Sequence, residues 1–252
     1  AVRKHLMDLI VPLRPARLPH RLWHAVFSAG LLLAPVLAVA GDALPAWSVP
    51  AAQGKPAARH ENGFVAVDGR LYLTRGHMAG FVPWLDVFDP ATGQWRALAD
   101  APHARDHFHA VVIDGRIYAA DGRRTSHDTG ETMSLTSPEV DVYEIASGRW
   151  STLPAPLPAQ RAGAPAVAMD GRLVVLGGES PAQVPGHGEV EAYDPATQRW
   201  STLPPLPRGR HGTQATMLDG VLHVAAGSGD RGGGPELDDH LTFGAKRASR
   251  ND

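Results

Sequence analysis

Four stretches of the chain are near-copies of one another: Val67 to Gly76 (VDGRLYLTRG), Ile113 to Gly122 (IDGRIYAADG), Met169 to Gly178 (MDGRLVVLGG) and Leu218 to Gly227 (LDGVLHVAAG). Each has an apolar residue, Asp-Gly, a short run of strand formers and a second glycine seven positions after the first. The aspartates fall at 68, 114, 170 and 219, so the spacing is 46, 56 and 49 residues. A two-residue hairpin turn that matches strand twist needs positive φ, which Asp tolerates and Gly adopts freely. Each copy therefore predicts a hairpin. Strand-and-turn chemistry recurring about every fifty residues predicts an all-β propeller of about four blades, each a sheet of four antiparallel strands.

The register extends beyond the hairpins. An arginine precedes each aspartate by nine residues: Arg59, Arg105, Arg161 and Arg210. Later in the first three copies come Phe88 to Trp95 (FDPATGQW), Tyr143 to Trp150 (YEIASGRW) and Tyr193 to Trp200 (YDPATQRW). These read as the end of a third strand, a tight turn, and a fourth strand opening on a buried Trp. Leu-Pro runs such as Leu153-Pro154 then cross to the next copy, where proline cannot continue a ladder. The repeats run at about 59–104, 105–158, 159–207 and 208–243. In the last, His240 to Phe243 looks like a third strand and no Trp-bearing fourth follows. The stretch around Trp47 is the candidate to supply that strand and close the ring, which would remove two sheet edges.

The Gly-rich hairpins, the Tyr-Asp-Pro-Ala-Thr segment and the Trp seven residues after the Tyr resemble kelch repeats, over roughly Arg59 to Phe243. Arg105 to His109, Arg210 to Gln214 and Gly227 to Leu237 are similar to a group of secreted bacterial multi-kelch proteins without a settled activity. The resemblance implies a kelch-type β-propeller. Kelch propellers usually have more than four blades, so an incomplete or internally shortened propeller stays open.

Arg3, Lys4, Arg14, Arg17 and Arg21 precede an apolar run from Ala25 to Ala40 that ends Ala38-Val39-Ala40. Basic region, apolar core and small-x-small site describe a secretory signal peptide over 1–40, cleaved on export to the periplasm or medium. The run is broken by Pro35 and short of the roughly twenty residues a membrane span needs, so no stable anchor is expected. Residues 41–243 are then the propeller and 244–252 a disordered tail. Without the leader the chain carries 19 basic and 25 acidic residues and no basic run, which excludes nucleic acid as a partner. There are no cysteines, so no disulfides form.

By the resemblance, Arg59, Arg105, Arg161 and Arg210 sit at the inner end of each blade, near the channel mouth. They either form a cationic ring for a carboxylate or phosphate, or tie blade loops together through backbone carbonyls. His60, His107, His109 and His211 gather beside them. His107 and His109, two apart on an expected strand, would share one face. With a third ligand they could chelate a metal, but the sequence fixes none, and they read better as polar residues lining a wet channel. Asp106 and Glu61 are the nearest carboxylates, so His107 and Asp106 are the candidates for any proton transfer. Gly227 to Gly234 lacks the Gly-Lys-Ser/Thr ending of a phosphate loop and reads as a flexible inter-strand loop. Thr129 to Pro138 is the longest excursion between strands.

The favoured reading is an exported interaction module that holds an acidic carbohydrate or peptide on its loop face, with no cofactor and no metal. Copper radical oxidases resembling galactose oxidase need a cysteine, which is absent. A periplasmic epimerase or mutarotase resembling sialic-acid epimerases is the enzymatic alternative, and a degenerate propeller without ligand is a third. Self-association would cover open edges if the ring does not close.

Overall fold

A computed structural model describes residues 47–74, 76, 85–125 and 136–244. The expected leader, most of the 129–138 excursion and nearly all of the tail lie outside these residues. From Ser48 onward the chain is one compact unit, built from strands alone among the described residues. Sheet 1 contains β1 (Gly63–Val67), β2 (Arg70–Thr74), β3 (Leu85–Asp89) and β4 (Gln94–Ala97). Sheet 2 contains β5 (His109–Ile113), β6 (Arg116–Ala120), β7 (Asp141–Glu144) and β8 (Arg149–Thr152). Sheet 3 contains β9 (Ala166–Met169), β10 (Arg172–Leu176), β11 (Val190–Asp194) and β12 (Arg199–Leu203). Sheet 4 contains β13 (Ala215–Leu218), β14 (Val221–Ala225) and β15 (His240–Phe243). All pairings within the sheets are antiparallel and follow chain order, as expected of propeller blades.

The Asp-Gly pairs make the β1–β2 type of hairpin in every blade. Asp68, Asp114, Asp170 and Asp219 have φ of 46–52° and the glycines after them 69–77°, the double left-handed step that a two-residue loop requires. The second glycine has a different task. Gly122 donates its N–H to the carbonyl of Arg161 at 3.0 Å, and Gly178 to that of Arg210 at 2.7 Å, so this position bonds each blade to the next. Its φ is near +100°, and a Cβ on Gly122 or Gly227 would come within 2.8 Å of a backbone oxygen of its own blade.

Three apolar cores join the four sheets. The first combines Val65, Tyr72 and Val87 of sheet 1 with Ile117, Tyr143 and Trp150 of sheet 2. The second joins Val111, Tyr118 and Val142 to Leu173, Val175 and Tyr193. The third joins Val167, Val174 and Ala192 to Leu222, Val224 and Phe243. The aromatic-to-Trp spacing becomes a cross-strand pair: Phe88–Trp95, Tyr143–Trp150 and Tyr193–Trp200 face each other with ring centroids 5.1–5.3 Å apart. The tryptophans are half-buried rather than buried: Trp150 and Trp200 lie at the seams between blades, and Trp95 is on the outward face of sheet 1. Trp150 and Trp200 donate their Nε1–H to carbonyls of the preceding linker, Ala99 at 2.9 Å and Ala155 at 3.1 Å.

The inner strands β1, β5, β9 and β13 follow one another side by side, but β1 and β13 do not pack together as the neighbours do. Among the described residues no fourth core links sheet 4 to sheet 1. The expected closure by a strand at Trp47 is corrected here. Trp47 is fully exposed and in no strand, and sheet 4 keeps three strands among the described residues. The incoming segment pairs with sheet 1 instead, where Gln53 bridges Gln94 in parallel beside β4. The two end faces differ in polarity. The outward face of sheet 1 carries Phe64, Ala66, Leu71, Phe88 and Trp95 beside Asp86, with Phe64 57% exposed, whereas that of sheet 4 carries Thr216, His223, His240 and Thr242 along its length and Leu218 and Val221 at the hairpin end. An apolar face and a polar one do not make a dry core between them.

Candidate functional site

The four repeated arginines are bound inside their own blades. Arg105 reaches the carbonyl oxygens of Ala119, Asp121 and Glu139 at 2.7–3.2 Å and the Asp141 carboxylate at 3.2 Å. Arg161 holds Glu191 at 2.5 Å with the carbonyls of Ala159 and Val175, and Arg210 clasps both oxygens of Asp239. Arg59 pairs with Asp86 and bonds Ala57 and Leu73 carbonyls. All four side chains are completely or almost completely buried. Of the two roles their repetition allows, the geometry gives them the scaffold one, and none presents its guanidinium to a ligand. Burial pulls the Arg105 guanidinium below its ordinary range, against the opposing charges of Asp141, Asp121 and Glu139.

The residues just after each arginine build the polar surface. The second residue past the arginine is left-handed in every blade: Glu61 (φ 53°), His107 (φ 52°), Gly163 (φ 62°) and Gly212 (φ 65°). Blades 3 and 4 use glycine there, as sterics favour, while blades 1 and 2 put a charged or titratable side chain on a backbone that disfavours it by about 1–2 kcal/mol. This position also carries the blades from one to the next, since Gly163 N–H donates to His107 O at 2.7 Å and Gly212 N–H to Gly163 O at 3.1 Å. Strain kept at two such sites and relieved at the other two points to the side chains as its purpose.

These side chains form a row across all four blades. Glu61 Oε2 of blade 1 lies 2.6 Å from His107 Nδ1 of blade 2. His107 Nε2 accepts from Arg123 Nη2 at 2.8 Å, and Arg123 Nη1 donates to Glu179 Oε1 of blade 3 at 2.9 Å. Glu179 Oε2 is 3.6 Å from His211 Nε2 of blade 4 and accepts the N–H of Gly232 at 2.8 Å. Asp106 supports the row from behind: it bonds His107 Nδ1 and takes the N–H and hydroxyl of Thr125, each at 2.9 Å. Burial raises the Asp106 carboxyl, but the bonds from His107 and Thr125 outweigh it and hold the group below the usual carboxylate range.

This geometry restricts the chemistry. Arg123 can only donate, so His107 Nε2 carries a lone pair toward it and the ring proton sits on Nδ1, between two carboxylates. Glu61, Asp106 and His107 do place three donor atoms within 4.8 Å. A metal there would need the Nδ1 lone pair, which the Arg123 bond makes unavailable. The same bond occupies the nitrogen that a general base would use.

The expected pairing of His107 with His109 is corrected. His107 is in a left-handed turn before β5, so the two side chains do not share a face. His109 Nδ1 bonds the carbonyl of Ala164 at 2.8 Å, and burial lowers its pKa despite that bond. His60 is the exposed member at the blade 1 end, and His211 is closed over by the loop after β14 through Asp230 O at 2.8 Å. That Gly-rich loop is pinned to blade 3 by Gly232 and Pro185, and the described structure gives it a bonded role rather than a free one.

Sequence reasoning missed Arg123 and Glu179, although a signal was there. Both directly follow the second repeat glycine and pair in isolated bridges with the residue after the repeat arginine, as Asp106↔Arg123 and Ala162↔Glu179. The acidic partners of the arginines were also legible, since Asp86, Asp141 and Glu191 each stand two residues before the repeat aromatic.

The comparisons with known proteins agree with this architecture. A family model described as "Kelch motif" matches residues 58–102 and 160–207, in blades 1 and 3. Kelch-like protein terF of Aspergillus terreus is 29% identical over 185 residues, covering 70% of this chain and 40% of that protein. Kelch-like protein 40 of Mus musculus is 39% identical over 92 residues, 36% of this chain and 13% of that one. Kelch-like ECH-associated protein 1B of Danio rerio is 30% identical over 80 residues, 32% of this chain and 13% of that one. The chain thus spans two fifths or less of these relatives. The solved structure of YjhT superposes with a TM-score of 0.60 at 15% identity, over 74% of this chain and 66% of that one, a likeness of fold. With the repeat glycines, the arginine–carboxylate pairs and the blade order all in place, the chain carries kelch motifs on the fold of a kelch-type β-propeller.

Proposed function

We propose that this kelch propeller, in keeping with the family's character as a protein-interaction module, is an exported protein that holds a carboxylate-bearing peptide on the loop face where the blades' polar row runs. The basic and apolar leader sequence supports export. The observation that carries the binding site is the Glu61–His107 contact. Glu61 is 39% exposed, His107 24%, and both are held on left-handed backbone at the blade 1–blade 2 seam. Glu61 occupies the position a ligand carboxylate would take against the His107 N–H, with Arg123 and Asp106 fixing the ring behind it. His60 and Arg124, the chain neighbours of Glu61 and Arg123, are exposed. An acidic segment would displace Glu61 and bond His107 in its place, a charge-assisted contact.

The test is a fluorescence-anisotropy titration with a labelled Glu-rich peptide, its Gln-rich counterpart and a uronic acid oligosaccharide. Glu61→Gln removes the internal competitor and is expected to tighten peptide binding several-fold. His107→Gln is expected to weaken it tenfold or more, a loss of about 1.4 kcal/mol. Equal binding of the Glu and Gln peptides, or indifference to both substitutions, would rule the reading out. Preference for the uronic acid would assign the site to a sugar. The epimerase reading takes second place because both His107 nitrogens are engaged.

A further inference from the structure

The outward face of sheet 4 breaks the repeat in a consistent way. Three residues before the hairpin aspartate, blades 1 to 3 have Val65, Val111 and Val167, and blade 4 has Thr216. Four residues after it they have Tyr72, Tyr118 and Val174, and blade 4 has His223. Opposite those side chains on the third strand stand Val87, Val142 and Ala192, against Thr242. At the start of the third strand Leu85 and Val190 give way to His240. In the first three blades these positions are the apolar face packed by the following sheet. A last blade needs a polar outer face for solubility, and two threonines supply it. Solubility does not require two imidazoles in contact.

His223 and His240 lie on adjacent strands, β14 and β15, with Nδ1 of one 3.0 Å from Nε2 of the other and ring centroids 5.2 Å apart. The two nitrogens therefore face each other across the strand pair, on the outward side of sheet 4. Metal–imidazole bonds of about 2.0–2.1 Å at angles of about 90–109° require two nitrogens about 2.8–3.4 Å apart, so the 3.0 Å pair has the separation that chelation needs. We propose that His223 and His240 form a two-histidine site for a borderline transition-metal ion, of the Ni²⁺, Cu²⁺ or Zn²⁺ class that imidazole favours. Binding takes the lone pairs of both facing nitrogens, so the proton of the N–H···N bond moves to the other nitrogen of the ring that donated it, and the remaining coordination positions face solvent. This site is separate from the polar row: it is on the end face of the arc, and its donors belong to blade 4 alone.

The experiment is calorimetric titration of the full chain with Ni²⁺ and Cu²⁺ at pH 7.5, paired with thermal melts. The wild type is expected to bind one ion at this site, Cu²⁺ more tightly than Ni²⁺, with a raised melting temperature. His223→Gln and His240→Gln should each weaken that binding at least tenfold and abolish the thermal shift, because a chelate fails when either arm is lost. His60→Gln and His107→Gln should leave it unchanged. No binding by the wild type, or binding that survives both His223→Gln and His240→Gln, overturns the proposal.

Discussion

Arg161→Met separates the two roles a repeated arginine could have. The Arg161 side chain is completely buried and the Glu191 side chain 7% exposed, with Nη1 2.5 Å from Oε2. The same guanidinium donates to Ala159 O at 2.7 Å and to Val175 O at 3.2 Å. Methionine retains the apolar stem but strands a buried carboxylate. Removing one partner of a buried ion pair costs about 3–5 kcal/mol, so the variant should lose about 4 kcal/mol. Replacing both partners removes the stranded charge and leaves mainly two carbonyls short of a donor, each costing about 1 kcal/mol. Arg161→Met/Glu191→Met should therefore lose only about 2 kcal/mol, less than Arg161→Met alone. The measurement is urea unfolding of the full chain, followed by tryptophan fluorescence, which reports the half-buried Trp150 and Trp200 at the flanking seams. A ligand-binding arginine would behave differently: its loss would change stability by under about 1 kcal/mol. That result for Arg161→Met, or a double variant weaker than the single one, would refute the scaffold assignment.

Two further outcomes follow from the packing. Asp121 is fully buried, and burial raises its pKa well above 3.8 although the Ala164 N–H and the charges of Arg161 and Arg105 oppose the shift. A carboxyl with a raised folded-state pKa stabilises most below its unfolded value, and that contribution is lost as pH climbs through the folded one. Asp121→Asn should therefore flatten the decline of stability with rising pH and be the more stable form at neutral pH; parallel pH profiles would contradict the assignment. Gly209→Ala would place a Cβ 1.9 Å from the Gly186 carbonyl oxygen, a backbone atom that cannot move alone, and should cost about 3 kcal/mol or more by urea unfolding, whereas Gly212→Ala meets no atom within 4 Å and loses only what its φ of 65° imposes.

The sequence by itself determined the blades. Asp-Gly at 68, 114, 170 and 219 dictates the same hairpin four times because the left-handed turn is a local property of those two residues. The strand patterns around each hairpin set which side chains meet, down to the Tyr143–Trp150 pairing. The buried pairs were half legible: the arginines stood out, and the carboxylates two residues before each aromatic gave a signal that went unread. Tertiary structure alone decided which polar groups meet across blades. Glu61, His107, Arg123, Glu179 and His211 are spread over four blades, and they converge because the left-handed steps place Glu61 and His107 while the bridges Asp106↔Arg123, Ala162↔Glu179 and His211↔Ser228 set the others beside them. It also decided that, among the described residues, no apolar core joins sheet 4 to sheet 1, since such a core depends on whether two distant faces match. The face of sheet 1 is mostly apolar and that of sheet 4 carries Thr216, His223, His240 and Thr242, polar groups that lose water on burial.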